Sequence, residues 1–190
     1  MSDTANTSTT GIKIGGRIDD ARQFIPVRIA VLTVSDTRDA GTDKSGDTLV
    51  DRLASAGHEL AGRAIVKDDV RAIVERVRSW IDDKDVDCIL STGGTGLTGR
   101  DVTVEAMQSL FEKEIDGFSA IFHLVSYGTI GLSTIQSRAC AGVAKGTFIF
   151  ALPGSPGACR DAWDHILKYQ LDNRYRPCNF VEIMPRLLEK

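Results

Sequence analysis

Residues 27–34 are apolar and rich in β-branched side chains except for Arg28 and Thr33, the pattern of a strand buried on both faces of a parallel sheet. A polar stretch runs on to Gly46. Leu49, Val50, Leu53 and Ala54 then share one side of a helix predicted over residues 47–56, with Gly57 placed to end it. A second strand is expected near residues 64–66. The most regular segment comes next: Val70, Ile73, Val74, Val77, Trp80 and Ile81 recur at helical spacing, with Arg71, Glu75, Arg76, Arg78 and Asp82 opposite them. A third strand, residues 86–90, leads into a glycine cluster that starts at Gly93.

Beyond that cluster, residues 102–111 and 118–127 read as helices joined at Asp116-Gly117. Two apolar runs, 139–144 and 147–152, are separated by Lys145-Gly146. The second reads as a strand; the first is rich in small residues and fits a strand or a short helix. A last helix opens after Pro153-Gly154-Ser155-Pro156, with Cys159, Ala162, Trp163, Ile166 and Leu167 at helical spacing. Strands alternating with helices at this pace predict an α/β fold, an open and mostly parallel sheet in three layers with helices on both faces. Residues 1–24 show no hydrophobic period and are expected to be a flexible arm before a single domain, 25–190. No internal repeat is visible.

Composition narrows the function. The chain has 190 residues, 42% of them hydrophobic and 26% charged, enough to bury a core without metals or disulfides. With 23 basic residues scattered among 26 acidic ones, the formal net charge is −3, and nucleic acid is not an expected partner. No uninterrupted apolar stretch approaches the ~18–20 residues of a membrane span, and the first sixteen residues lack a signal-type apolar core, so no membrane partner is expected. Cys88, Cys140, Cys159 and Cys178 form no C-x-x-C pair, and Cys88 and Cys140 sit in apolar runs as buried thiols. A cytoplasmic location is therefore expected. His58, His123 and His165 lie far apart and read as surface or packing residues.

The chemistry gathers where strands end, the edge at which open α/β sheets bind ligands. The first strand ends in Ser35-Asp36-Thr37-Arg38 and the second in Lys67-Asp68-Asp69. The third ends in Ser91-Thr92-Gly93-Gly94-Thr95-Gly96, continuing through Leu97-Thr98-Gly99-Arg100-Asp101, and the last in Leu152-Pro153-Gly154-Ser155-Pro156-Gly157. Glycines straight after a buried strand let backbone N–H groups face an anion, and Thr92 and Thr95 add hydroxyls. Gly94, Gly96 and Gly99 also spell G-x-G-x-x-G, with Glu112 or Glu114 near the range of a ribose acid, which keeps a nicotinamide-dinucleotide site as a lesser reading. A Walker A lysine is absent. Asp68 and Asp101 beside a phosphate cradle would repel their ligand unless a hard cation such as magnesium bridged them. Asp69 is placed to cap the next helix, a duty Asp68 lacks, and Asp101 could cap the helix after it. The Pro153-Gly154-Ser155 turn is a second anion seat, and Ser137-Arg138 offers further donors.

Thr92-Gly93-Gly94-Thr95-Gly96, then Arg100-Asp101-Val102-Thr103 and Glu105-Ala106, resemble the signature of molybdenum cofactor biosynthesis proteins. Glu114-Ile115-Asp116-Gly117-Phe118, Ser137-Arg138 and Leu152-Pro153-Gly154 continue it in order. Gln136-Ser137-Arg138-Ala139, Gly157-Ala158-Cys159-Arg160 and Pro177-Cys178-Asn179 resemble the protein B (MoaB) branch. The resemblance covers residues 28–182. It implies a molybdopterin-binding fold assembled as homo-oligomers, trimers or hexamers. It also implies an adenylyltransferase that joins molybdopterin to the α-phosphate of ATP with magnesium and releases pyrophosphate. The family's carboxylates map onto Asp68 and Asp101 as catalytic and Mg²⁺-binding residues. Thr92, Gly93, Gly94, Thr95, Gly96, Ser35, Asp36, Ser137, Arg138, Pro153, Gly154 and Ser155 are the implied substrate and phosphate contacts. Lys67 and Val104 stand where the family pattern has proline. Some members of the branch resemble the enzymes without catalysing adenylylation, so a pterin-binding protein without activity is the alternative.

Overall fold

The structure is a computed structural model that describes residues 15–189. In chain order its elements are β1 (Arg17–Ile18), β2 (Arg28–Val34), α1 (Lys44–Ser55), β3 (Glu59–Val66), α2 (Val70–Ile81), β4 (Cys88–Thr92), α3 (Thr103–Gln108), β5 (Lys113–Glu114), α4 (Asp116–Ile130), β6 (Cys140–Ala144), β7 (Thr147–Leu152), α5 (Pro156–Ala162), α6 (Lys168–Gln170), β8 (Tyr175–Arg176) and α7 (Phe180–Ile183). A 3₁₀ segment, Gly131–Gln136, continues α4, and a π-helical turn, Trp163–Leu167, joins α5 to α6.

The main sheet has the order β3-β2-β4-β7-β6-β5, with β3, β2, β4 and β7 parallel and β6 and β5 antiparallel at one edge. Side chains leave a strand alternately to either face, so β2 feeds two cores. Ile29 and Val31 pack with Leu49 and Leu53 of α1, Phe118 and Phe122 of α4 and Cys159 of α5. Ala30, Leu32 and Val34 pack with Ile73 and Val77 of α2 and with Val104 and Met107 of α3. Helices therefore cover both faces, the three-layer arrangement expected from the alternation.

The differences from the sequence pattern have local causes. β3 begins at Glu59, five residues before the predicted 64–66 strand, because an edge strand needs no apolar run: Glu59 and Leu60 are exposed while pairing with β2, and Ala61 bulges out of the ladder. α3 stops at Gln108 instead of residue 111, since Phe111 turns inward onto Gly142, where a Cβ would strike its ring. That contact fits the run 139–144 being a strand. Lys145 and Gly146, with φ of 47° and 88°, make the two-residue turn of the β6–β7 hairpin.

Of the stretch read as an arm, residues 1–14 lie outside the described residues. Arg17 and Ile18 pair with Arg176 and Tyr175. The buried Asn173 ties down Gln23 and Ile25, accepting from the Ile25 N–H at 2.9 Å and donating to the Gln23 carbonyl at 2.9 Å. α4 and its 3₁₀ extension form a 21-residue helical run, Asp116–Gln136, containing an 18-residue stretch of mean hydropathy 1.3, the one helix among the described residues long and apolar enough to cross a membrane. Ser126, Gly128, Thr129, Gly131 and Ser133 interrupt the apolar residues and hid it from a search for unbroken runs. Phe118, Phe122 and Val125 commit one side to the core, while Ile121, Leu124, Tyr127, Ile130, Leu132 and Ile135 are exposed.

Candidate functional site

The carboxyl ends of β2, β3, β4 and β7 meet at one edge, and glycine makes the meeting possible. Gly93 has φ of +101°, donates to the Leu152 carbonyl at 3.0 Å, and sits so close to the Val34 carbonyl that any Cβ would collide with it. A Cβ on Gly154 would lie 3.1 Å from the Gly93 Cα, so the β4 and β7 loops touch backbone to backbone. Thr92 Oγ1 donates to the Pro153 carbonyl at 3.0 Å and lies 3.2 Å from Cys159 Sγ. The Ser35 N–H donates to the Val66 carbonyl at 2.9 Å and joins the ends of β2 and β3.

On this base stand the carboxylates. Gly94, at φ +62°, is wedged between the Asp68 carboxylate and the Thr103 hydroxyl, and a side chain there would strike both. Asp101 accepts from Thr98 Oγ1 at 2.6 Å and from the Thr98 N–H at 2.9 Å. Those hydrogen bonds outweigh burial and, with the Gly96 N–H, hold its carboxyl below the usual carboxylate range. Asp68 moves the other way: burial first, then the charges of Asp36 and Asp101, push its carboxyl up. Asp36 is held low by its hydrogen bond with Arg100. Two neighbouring acids are thus driven apart, one fixed as an anion and one eager for a positive partner.

That imbalance suits a divalent cation such as magnesium. Among the described residues no group of three His, Cys, Asp or Glu side chains comes together to hold a metal unaided. Magnesium does not require one, because it takes one or two carboxylates with substrate phosphates and waters. Asp68 and Asp101 would supply the carboxylates. The wholly buried Thr103 hydroxyl beside Asp68 has no partner. The donor set fits the ion. Backbone N–H groups complete the cradle: among the described residues no backbone carbonyl accepts from the N–H of Gly94, Thr95, Gly154 or Ser155.

The structure brings Ser35, Asp36, Asp68, Thr92, Gly93, Gly94, Thr95, Gly96, Asp101, Pro153, Gly154 and Ser155 to this edge, where several side chains are engaged in shaping it. The Thr92 hydroxyl is spent on Pro153, and Ser155 Oγ caps α5 by accepting from the Ala158 N–H at 3.1 Å. Ser35 Oγ accepts from the N–H groups of Thr37 and Arg38, both at 3.2 Å. Ser137 and Arg138 arrive because β6 is antiparallel, so its first residues lie where β7 ends, Cys140 opposite Ala151. Arg138 is turned to protein: its Nε donates to the Thr95 and Gly96 carbonyls, each at 3.0 Å, and its fork pairs with Glu105. The Ser137 carbonyl lies 3.0 Å from His123 Nε2.

The capping assignments divide. Asp69 caps α2, accepting from the Ala72 N–H at 2.9 Å. Asp101 does not cap α3, whose N-cap is Val102 without a side-chain bond, because its carboxylate is folded back on Thr98. The dinucleotide reading also fails: α3 starts at Thr103, leaving Gly94, Gly96 and Gly99 off its first turn. Glu114 lies on the edge strand β5 and accepts from Gln108, while Glu112 accepts from the Lys145 N–H.

Sequence reasoning missed the supports. Arg38 donates to Ser45 Oγ at 2.6 Å and to the Gly154 carbonyl at 2.7 Å, strapping the β7 loop to the start of α1. The wholly buried Asp43 accepts from Thr33 Oγ1 at 2.7 Å, the Gly46 N–H at 2.9 Å and Arg63 at 2.9 Å. Burial opposes its charge, yet these partners hold its carboxyl low. The available signal was an Asp three residues before Gly46 at a helix start. Burial pushes the Cys159 thiol up to about 11 and that of Cys140 to about 12, which makes both packing groups. A separate cavity of about 450 Å³, lined by Phe118, Ile121, Leu124, Tyr169, Tyr175 and Phe180 among others, contains no carboxylate and shares no residue with the loop edge.

The family described as "Probable molybdopterin binding domain" matches residues 30–173. Molybdenum cofactor biosynthesis protein B of Escherichia coli K12 is 52% identical over 158 residues, 83% of this chain and 93% of the relative. The protein of the same name from Bacillus subtilis 168 is 46% identical over 153 residues, 79% of this chain and 90% of the relative. A crystal structure of a molybdenum cofactor biosynthesis protein B superposes with a TM-score of 0.80 at 38% identity, covering 89% of this chain and all of the other. The chain belongs to the molybdopterin-binding domain family and, within it, to the molybdenum cofactor biosynthesis protein B branch.

Proposed function

We propose that the protein acts in molybdenum cofactor biosynthesis, binding molybdopterin at the four-loop edge and adenylylating it with Mg-ATP. The observation that carries this reading is Gly94 set between Asp68 and Thr103, with Asp101 anchored one glycine further on. N–H groups able to receive phosphate next to two carboxylates of opposite tendency support it. A phosphate oxygen of molybdopterin attacks the α-phosphorus of ATP. A new P–O–P bond forms, the bond between the α-phosphorus and its bridging oxygen breaks, and that oxygen's electron pair leaves with pyrophosphate. The nucleophile is already an anion, so no general base is needed.

Such a transfer is governed by positioning and charge, and that is what these residues offer. The N–H groups of Gly94, Thr95, Gly154 and Ser155 receive phosphate oxygens. Asp68 and Asp101 would hold magnesium, which when bound neutralises phosphate charge and draws the reacting groups into line. The Asp36–Arg100 pair closes one side of the edge and keeps Asp36 ionised next to Asp68. The apolar outer side of α4 and its 3₁₀ extension, with Ile121, Leu124, Leu132 and Ile135 exposed, supports a homo-oligomer. The thiols of Cys88, Cys140, Cys159 and Cys178, all free, suit the reducing cytoplasm.

The test is direct: purified protein, molybdopterin, magnesium and labelled ATP, with pyrophosphate and adenylylated pterin as readouts. Both products are expected. Tight pterin binding without product would leave a pterin-binding protein of the same pathway, and binding of neither substrate would overturn the reading.

A further inference from the structure

We infer that Arg138 is a positioning residue that sets the conformation of the glycine loop and aims Asp101, and that it is not a phosphate contact. The inference rests on the adenylyltransferase reading for its catalytic consequence, and on geometry for its physical basis. Every contact of the guanidinium is internal: Nε to the carbonyls of Thr95 and Gly96, Nη2 to the Asp101 carbonyl at 3.2 Å, and both Nη atoms to the Glu105 carboxylate. Four of the five donors of the fork are committed by this arrangement, with planarity that only a guanidinium offers.

A peptide unit is planar and trans, so its C=O and N–H point in opposite directions. Arg138 draws in the Thr95 carbonyl. The N–H of the same unit, which belongs to Gly96, therefore points away from Arg138 and toward the Asp101 carboxylate. The next unit behaves likewise, its Gly96 carbonyl drawn to Arg138 and its Leu97 N–H turned outward. Asp101 is thus gripped twice, its carbonyl by Arg138 and its carboxylate by the Gly96 N–H that Arg138 has oriented, with the Thr98 N–H beside it. Gly96 and Gly99 bracket this stretch, and glycine backbones have no preference of their own strong enough to fix it. The conformation must be imposed from outside, and among the described residues Arg138 is the side chain that touches it at three carbonyls.

The experiment compares wild type with Arg138→Lys, Arg138→Ala and Glu105→Gln by steady-state adenylylation and by hydrogen exchange of residues 94–101 without ligand. Misplacement of Asp101 should lower kcat about 100-fold in Arg138→Lys and Arg138→Ala alike, with KM for ATP and pterin within about twofold of wild type. Millimolar guanidinium should restore part of the kcat of Arg138→Ala. Glu105→Gln, at an exposed carboxylate, should give a smaller kcat loss in a folded protein. Exchange over residues 94–101 should quicken at least about tenfold in Arg138→Lys. A raised KM with kcat retained, and near-normal behaviour of the still-charged Arg138→Lys, would make Arg138 a phosphate ligand and overturn the inference. Unchanged exchange would also overturn it, whatever the activity. Absence of turnover in the wild type would instead count against the adenylyltransferase reading, with the exchange data still deciding the clamp.

Discussion

The Thr92 hydroxyl reaches the Pro153 carbonyl at 3.0 Å, so the last residue of one central strand holds the loop that leaves its neighbour. Thr92 is fully buried. Thr92→Val keeps the shape and the β-branch and removes the donor. The expected cost is about 1–3 kcal/mol, the desolvation penalty of a stranded carbonyl, read as a lower urea midpoint with an unchanged m-value. An unaltered midpoint would mean that the loop does not depend on this bond.

Gly94 and Gly99 belong to one glycine-rich loop and have opposite requirements. A methyl group on Gly94 would meet Asp68 and Thr103 from a left-handed backbone, whereas one on Gly99 would meet nothing within 4 Å. Gly94→Ala should reduce adenylylation by about 100-fold or more while far-ultraviolet circular dichroism stays native. Gly99→Ala should change stability by no more than about 0.5 kcal/mol. Equal effects from the two variants would remove Gly94 from the site.

Asp68 sits where burial and two like charges oppose its ionisation. Asp68→Asn removes that repulsion and should raise Tm at neutral pH while abolishing adenylylation, a trade of stability for function. Asp101→Asn should lose activity by orders of magnitude and also lose stability, because its charge is welcomed by Thr98 and Gly96. Opposite Tm shifts from two neighbouring Asp→Asn changes are the signature to look for in calorimetry.

His58 provides the pH dependence. It is buried against Phe24 and Trp163, its Nδ1 accepts from the Val27 N–H at 3.2 Å, and burial lowers its pKa to about 4 despite the charge of Asp172. The folded value lies below the unfolded one, so the fold favours the neutral ring. This contribution is complete above about pH 6.5, declines as pH falls, and is lost below about pH 4, a span of about 3 kcal/mol. Denaturant titrations at pH 7 and 4.5 should show wild type losing more stability than His58→Gln. Parallel curves would show that protonation of His58 is not linked to unfolding.

The outward side of α4 and its 3₁₀ extension predicts assembly. Leu132 and Ile135 of that extension are 71% and 72% exposed. Leu132→Glu with Ile135→Glu should shift the sedimentation coefficient to that of a monomer without lowering the urea midpoint of the monomer. An unchanged coefficient would place the contacts between subunits elsewhere.

Much of the fold was legible because buried parallel strands announce themselves: the 147–152 run is β7 to the residue, and the period of Val70 to Ile81 is α2 to the residue. Edge elements were not, because pairing at an edge is a matter of backbone and leaves no hydrophobic signature, as Glu59 and Leu60 show. The loops that carry Asp68, Asp101 and the glycines could be grouped from strand ends alone. What each side chain does there could not. Thr92, Ser155 and Arg138 have the chemistry of ligands and point into protein, a choice decided by carbonyls brought from other strands.

The β6–β7 hairpin gives the site an unexpected ruler. Arg138 stands just before one strand, Pro153 just after the other, and a two-residue turn at Lys145-Gly146 fixes how they align. The far end of the molecule thereby sets the spacing of the reactive end. A one-residue insertion in that turn would cause a slip that turns alternate side chains to the opposite face, carrying the guanidinium away from the glycine loop without altering any residue near it. Mutational maps of such a protein should therefore show a sensitive spot at the distal turn, remote from every substrate atom and inherited with the hairpin as a unit.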